Sequence, residues 1–153
     1  MNKQMSLFEK EKKYVLLSIR EEPYKDILSG IKKYEYRTRY LKEATTAFIY
    51  VSRNIKKVMA VIEFDRPIIG SDVEISQIAE HIKRGSYEDM MEYLKNGIGY
   101  AIPVKEITEI QPIPLEELKL KFSNFVVPQS YYLLDNKKEL LNYFLSKSNY
   151  KLK

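Results

Sequence analysis

The sequence predicts an α+β domain, a small mixed or antiparallel β-barrel with flanking helices. Short β-prone runs are interrupted by helical segments, without the regular βαβ order that marks a parallel sheet. At 153 residues the chain fits one domain that is long enough to bury a core. Hydrophobic residues make up 44% and charged residues 31%, a composition typical of a globular protein and not of a disordered chain.

The first half of the sequence is predicted to form four strands and one helix. Strands are predicted over four β-prone or alternating runs, 14–19, 34–40, 47–52 and 58–64. The helix is predicted over 21–29, because acidic residues and Pro23 suit its first turn and Gly30 suits a left-handed cap. A turn over 53–56 is expected to join the third and fourth strands into a hairpin.

The second half of the sequence is predicted to form a helical insertion, two strands and a terminal helix. The insertion spans 72–96 as a pair of helices and is followed by a turn at Gly97-Ile98-Gly99. Strands are expected over 100–110 and 128–134, with Pro112 breaking the chain after the first of them. Helix starts are predicted where polar residues suit caps, at Asp72, at Ser86 with Asp89, and at Asn136 with Glu139.

Composition excludes several classes of site. The chain has no cysteine, which rules out disulfides, thiolate zinc sites and a cysteine nucleophile. His81, the only histidine in the sequence, is predicted to lie on a helix surface. Because there is only one histidine, a cluster of imidazole metal ligands is impossible. We therefore expect no metal site and no cofactor. No apolar run approaches the roughly 20 residues of a bilayer span, so we expect a cytoplasmic protein without membrane contact.

The net charge of +5 is unevenly distributed along the chain. A charged leader over 1–13 precedes the predicted domain at 14–134, and a terminal helix with a basic tail over 135–153 follows it. Inside the domain, residues 30–62 carry a local charge of +6 and residues 63–121 one of −5. If this separation persists in space, one side of the fold attracts phosphate; scattered surface lysines and arginines are the alternative. The tail is expected to fray.

The most specific feature is the segment Gly30-Ile31-Lys32-Lys33-Tyr34-Glu35-Tyr36-Arg37, a G-x-K-x-x-E-x-R pattern between the helix and a strand. Backbone N–H groups after the glycine are expected to be free for an anion, and Lys32 can reach phosphate as a mobile charge. Glu35 and Arg37 lie two apart on one strand face, so we expect them to pair. Spacing alone also fits a helix cap followed by a salt-bridged, solvated strand.

This pattern resembles the signature of the ASCH family of the PUA-like superfamily. The resemblance covers about residues 14–134 in order, through the runs 15–19, 48–52, 57–61 and 128–131. It implies a PUA-like β-barrel with a cleft lined by the motif, in a family that is associated with RNA and includes some hydrolases. Ligand-binding positions are then expected at Lys32, Glu35, Arg37, Arg39, Ser52, Arg53, Tyr100, Gln129, Ser130 and Tyr131.

The favoured interpretation is that the domain is a binding module, which holds RNA or a nucleotide in this cleft. Shape, base stacking and contacts to the 2′-hydroxyl are expected to provide the recognition. Replacing Lys32 or Arg37 by alanine is then expected to weaken binding without lowering the melting temperature. The sequence leaves the oligomeric state and the choice between RNA and a free nucleotide open.

Two other functions stay open at this level. One is a metal-independent hydrolase of RNA or a modified nucleoside, with Lys32 and Glu35 as catalytic residues. ASCH-like amidohydrolases of acetylated cytidine carry a threonine nucleophile where this chain has Glu35, so that route is not expected here. The other is a protein-interaction module on the helical pair, through Tyr87, Met90, Met91 and Tyr93.

Overall fold

A computed structural model describes residues 12–151. In this part of the chain, one curled mixed sheet forms a half-barrel with helices packed against it. The strands are β1 (Lys13–Ile19), β2 (Tyr34–Arg37), β3 (Thr45–Val51), β4 (Lys57–Phe64), β5 (Ile68–Ser71), β6 (Ile98–Pro114) and β7 (Tyr131–Leu133). The helices are α1 (Glu21–Leu28), α2 (Asp72–Ile82), α3 (Tyr87–Leu94), α4 (Leu115–Lys121) and α5 (Lys138–Ser148).

The sheet has the strand order β2-β6-β4-β3-β1-β7, and β5 pairs with the first residues of β6. Strands β1 and β3 are parallel, and all other pairs are antiparallel. Strand β6 is 17 residues long, so its beginning pairs with β2 and β5 while its remainder pairs with β4. The predicted α+β fold with a mixed, barrel-like sheet is confirmed.

Both faces of the sheet are covered, which explains why β3 is buried along its whole length and β4 along most of its length. Val15 and Leu17 of β1 belong to a core on one face, which α1 covers, while Leu16 belongs to a core on the other face, which α4 and α5 cover. A third, smaller cluster joins α2 and α3 to β6 through Ile75 and Leu94. The predicted helical insertion therefore lies directly on the sheet.

Several element boundaries differ from the predicted ones. Strand β2 ends at Arg37 and not at Tyr40, because the chain bends at Thr38 and Arg39. The four-residue strand β5 was not predicted. Pro112 does not break the chain, since β6 continues through it to Pro114. The predicted turn at 97–99 is confirmed only at Gly97, because Ile98 and Gly99 already belong to β6.

Of the three predicted cap residues, Ser86 stands at the N-cap of its helix, whereas Asp72 and Asn136 do not. Helix α2 is capped by Ser71, whose hydroxyl accepts from the Glu74 N–H in a complete capping box. Ser86 makes no cap bond at the start of α3, because the Glu80 carboxylate accepts the N–H groups of Gly85 and Tyr87 at that helix start. The residue before α5 is Lys137, and no side chain caps that helix.

The two predicted end segments are only partly described. Residues 1–11 of the leader and 152–153 of the tail lie outside the described part. Tyr150, in the tail that was expected to fray, is buried, and its hydroxyl donates to Glu63 at 2.6 Å. Between residues 12 and 151, none of the helices is both long and apolar enough to cross a membrane.

Candidate functional site

The G-x-K-x-x-E-x-R segment begins where α1 ends. Gly30 has a φ of +85°, a left-handed conformation that glycine adopts without steric cost. The Gly30 N–H donates to the Ile27 carbonyl at 3.1 Å, and the Lys32 N–H donates to the Asp26 carbonyl at 2.9 Å. The expectation that N–H groups after the glycine are free for an anion is therefore wrong at these two residues. The chain turns at this glycine, and Lys32 lies two residues before β2 with its side chain close to Glu35.

A lysine, a carboxylate and a guanidinium meet at this point. The Arg37 Nε donates to Glu35 Oε2 at 2.8 Å, which confirms the predicted pair. The Lys32 Nζ lies 3.6 Å from Glu35 Oε1. The interpretation of this face as solvated is wrong at Glu35, which is only 7% exposed. Two cations beside the carboxylate offset the cost of removing its charge from water.

Arg37 also connects three parts of the fold. Its Nη1 donates to Ser130 Oγ at 3.1 Å, and its Nη2 donates to the Ser18 carbonyl at 3.0 Å. The Ser18 N–H in turn donates to the Ser130 carbonyl at 2.9 Å. The guanidinium thus ties β2 to the end of β1 and to the segment before β7. Most of its donors are used inside the protein, whereas Lys32 has a single, longer contact to a carboxylate.

These groups open onto a hollow of about 500 Å³, a size typical of ligand sites. Five of the predicted residues line it: Lys32, Glu35, Arg37, Ser52 and Gln129. Ser130 adjoins it through its bond to Arg37. We call this hollow the cleft. Its walls come from the ends of β1 and β3, the start of α1, strand β2, helix α3 and the segment before β7.

Four predicted positions do not line the cleft. Arg39 and Arg53 are exposed and lie outside its walls; Arg39 follows the end of β2, and Arg53 lies in the turn after β3 with a φ of +68°. Tyr100 and Tyr131 pack against the core, and the Tyr131 ring centre lies 5.0 Å from that of a core tyrosine. The expectation that these two tyrosines contact ligand is not supported by their positions.

Sequence reasoning missed two other tyrosines that do line the cleft, Tyr36 and Tyr93. The Lys32 Nζ lies 4.8 Å from the centre of the Tyr36 ring, and burial raises the pKa of Tyr36 to about 12. The Tyr93 hydroxyl donates to the Tyr36 carbonyl at 3.4 Å, and burial raises the pKa of Tyr93 as well. Both phenols therefore stay protonated at neutral pH. Tyr93 and Met90 were expected on a protein-interaction surface, yet both form part of the cleft wall.

Arg20 is a further residue that the sequence analysis missed. It follows β1 directly, is exposed, lines the cleft, and forms no ion pair with any residue between 12 and 151. His81 is exposed on α2, as expected. Among the described residues, no three histidine or carboxylate side chains are grouped so as to hold a metal ion.

The chain matches no protein-family model and no curated protein. Solved structures do match it, among them an ASCH protein from Zymomonas mobilis with a TM-score of 0.70 and 24% identity, covering 85% of this chain and 94% of the other. The chain has the ASCH fold. A serine-to-alanine variant of ZmASCH superposes with a TM-score of 0.72 over 86% of this chain and 96% of that chain, again at 24% identity. A tyrosine-to-phenylalanine variant gives 0.71 over 85% and 97%, also at 24% identity.

The ASCH fold accounts for how residues distant in sequence reach one cleft. Parallel pairing of β1 with β3 brings Ser18 and Ser52 together at the carboxyl ends of these two strands, and the Ser52 N–H donates to the Ile19 carbonyl at 3.0 Å. Antiparallel pairing of β2 with β6 holds Glu35 and Arg37 on the edge strand β2. The resemblance seen in the motif is thus confirmed at the level of the fold.

Proposed function

We propose that this ASCH-fold protein binds RNA or a nucleotide in the cleft through Lys32, Glu35 and Arg37. The observation that carries the proposal is the convergence of these three side chains on one open hollow, with the lysine 3.6 Å and the arginine 2.6 Å from the shared carboxylate. The likeness of the motif to a family associated with RNA supports the same class of ligand.

The contacts suggest a division of roles. Arg20 forms no ion pair with a described residue, and Lys32 has only a long contact of 3.6 Å to Glu35, so these two cations are the residues that bind phosphate. Arg37 is held by Glu35, Ser18 and Ser130, so it fixes the carboxylate in place. Glu35 keeps Oε1 turned towards Lys32 and away from Arg37, which leaves an acceptor for a ribose hydroxyl or a base amino group.

The test is the affinity of the Lys32→Ala variant for the four 5′-mononucleotides and for short single-stranded RNA. We expect a loss of about tenfold, because one charge-assisted contact to phosphate disappears. The dependence of affinity on salt concentration should also become shallower. Titration calorimetry at two salt concentrations measures both effects.

The matched control is Lys119→Ala, which removes the same charge from an exposed position on α4, away from the cleft. The control is expected to bind like the parent. Equal affinity of Lys32→Ala and the parent contradicts the proposal.

A hydrolase is a second candidate, favoured by one observation: the Lys32 amine and the buried Glu35 carboxylate are close enough to exchange a proton through a bound substrate or water. Incubation of the parent with short RNAs in EDTA tests it. Cleavage that is lost in Glu35→Gln supports catalysis, and intact RNA in the presence of the parent contradicts it while leaving the binding proposal in place.

A further inference from the structure

We propose that the ligand is a nucleic-acid segment of at least two nucleotides, and that a second hollow beside the cleft holds the base of the neighbouring nucleotide. This inference rests on the proposed function and decides between a free nucleotide and RNA. The second hollow has a volume of about 380 Å³ and lies between α1, the residues that lead into β2, and the helical pair α2–α3. We call it the side hollow.

The side hollow and the cleft meet over a shared wall. Lys32, Tyr36, Met90 and Tyr93 line both of them. The Tyr93 hydroxyl reaches the Tyr36 carbonyl at 3.4 Å, so α3 closes over β2 at this wall. A ligand that follows the wall therefore passes from one hollow to the other beside Lys32.

The two hollows differ in the charge of the residues that line them. The cleft is lined by three cations and one carboxylate: Arg20, Lys32, Arg37 and Glu35. In the side hollow, three acidic residues balance three lysines: Glu22, Asp26, Asp89, Lys32, Lys33 and Lys83. Phosphate is consequently favoured in the cleft, while the side hollow has no excess of positive charge to attract it.

The remaining walls of the side hollow suit a flat, uncharged group. Ile31, Ile82 and Met90 supply apolar surface, and Tyr34 stacks on Tyr36 with ring centres 6.1 Å apart and planes 30° apart. Aromatic side chains beside a basic groove are a common platform for bases of single-stranded nucleic acid. A base in the side hollow and a nucleotide in the cleft place their linking phosphate next to Lys32. A free mononucleotide leaves one of the two hollows empty.

The experiment compares mononucleotides with 5′-phosphorylated RNA dinucleotides, each binding to the parent and to a double variant, Ile31→Asn with Ile82→Asn. Asparagine is neutral, so the variant removes apolar surface from the side hollow without changing the charge near Lys32. The parent is expected to bind dinucleotides about tenfold more tightly than mononucleotides, through stacking of the second base. The double variant should lose most of this gain and keep its mononucleotide affinity.

The matched control is Ile98→Asn with Ile69→Asn. Ile98 is 61% exposed against 60% for Ile31, and Ile69 is 41% exposed against 36% for Ile82. Neither control residue lines the cleft or the side hollow. The control should retain both the mononucleotide affinity and the dinucleotide gain. Melting curves of both double variants establish that they fold.

The outcomes separate this inference from the proposed function. Equal affinity of the parent for mononucleotides and dinucleotides overturns the inference and leaves nucleotide binding in the cleft intact. This result is expected if the side hollow holds a different occupant, such as a protein side chain. A dinucleotide gain that persists in the Ile31→Asn, Ile82→Asn variant also overturns it. Absence of binding to either ligand overturns both proposals together.

Discussion

Glu35 and Glu63 are two buried glutamates in different surroundings. They are similarly buried, at 7% and 6% exposure. Glu63 has both oxygens occupied: Oε1 accepts from Thr46 Oγ1 at 2.8 Å and lies 2.7 Å from Lys12 Nζ, and Oε2 accepts from the Tyr150 hydroxyl at 2.6 Å. Glu35 has a close partner on Oε2 only, and its other oxygen faces a lysine at 3.6 Å beside the open cleft.

Burial of a charge therefore does not by itself mark a functional site. Glu63 fastens both described ends of the chain, at Lys12 and Tyr150, onto strand β4, so its role is structural. Glu35 has unused acceptor capacity next to a solvent-reachable hollow, which is what a ligand-binding carboxylate needs. We therefore expect stability to depend mainly on Glu63 and ligand recognition mainly on Glu35.

The largest expected effect is the loss of stability in Glu63→Ala. Removing this carboxylate leaves Lys12, Thr46 and Tyr150 without their shared partner, so the free energy of unfolding should fall by roughly 3 kcal/mol. Urea denaturation measures it, with the exposed Glu116→Ala as control. Nucleotide affinity should not change. A loss of less than about 1 kcal/mol, within the range of an exposed ion pair, contradicts a structural role.

Arg37→Ala should have an intermediate effect on both stability and ligand recognition. Glu35 then remains buried with only Lys32 nearby, and the bonds to Ser18 and Ser130 disappear, so we expect a loss of roughly 2 kcal/mol in stability. This replaces the expectation from sequence that the melting temperature is unaffected. Lys32→Ala should change stability by less than about 1 kcal/mol. Equal melting temperatures for Arg37→Ala and the parent argue against the connecting role of the guanidinium.

Tyr150→Phe should lose less stability than Arg37→Ala, about 1.5 kcal/mol at pH 7 for one hydrogen bond to a charged acceptor. Burial, followed by the bond to Glu63, raises the pKa of Tyr150 above its ordinary value of 10.0. Below pH 10 the phenol is protonated in both states and its contribution is complete. As the pH rises further, only the unfolded chain readily loses the proton, so the contribution declines.

Urea denaturation of the parent and of Tyr150→Phe at pH 8 and at pH 11 measures this dependence. The difference in stability between the two proteins should narrow at the higher pH. A difference that stays constant, or widens, shows that the phenol is not held protonated by its surroundings. Other tyrosines with raised pKa values, such as Tyr40, are present in both proteins and cancel in the comparison.

The sequence was sufficient for the parts that depend on local spacing. A period of two placed Glu35 and Arg37 on one face, and a glycine after a short helix marked the turn at Gly30. Both predictions are confirmed by the structure. The motif also indicated the ASCH fold, which the similarity to solved ASCH structures bears out.

Features that depend on long-range packing were not predictable in this way. Two of the partners of Glu63, Lys12 and Tyr150, lie 51 positions before it and 87 positions after it, and nothing in the run of residues around Glu63 indicates them. Tyr93 reaches the cleft only because α3 packs across β2. Tyr100 and Tyr131 were predicted to bind ligand, but both pack against the core on one face of the sheet. Strand β5 is too short to show a period.

The central claim is that a nucleotide occupies the cleft beside Lys32, Glu35 and Arg37. Titration of the ¹⁵N-labelled protein with a 5′-mononucleotide, followed through its amide resonances, tests this claim most directly. The account predicts saturable shifts concentrated in residues 18–20, 32–37 and 129–130. Shifts concentrated on α4 and α5 across the sheet, or no saturable shifts at millimolar nucleotide, contradict it.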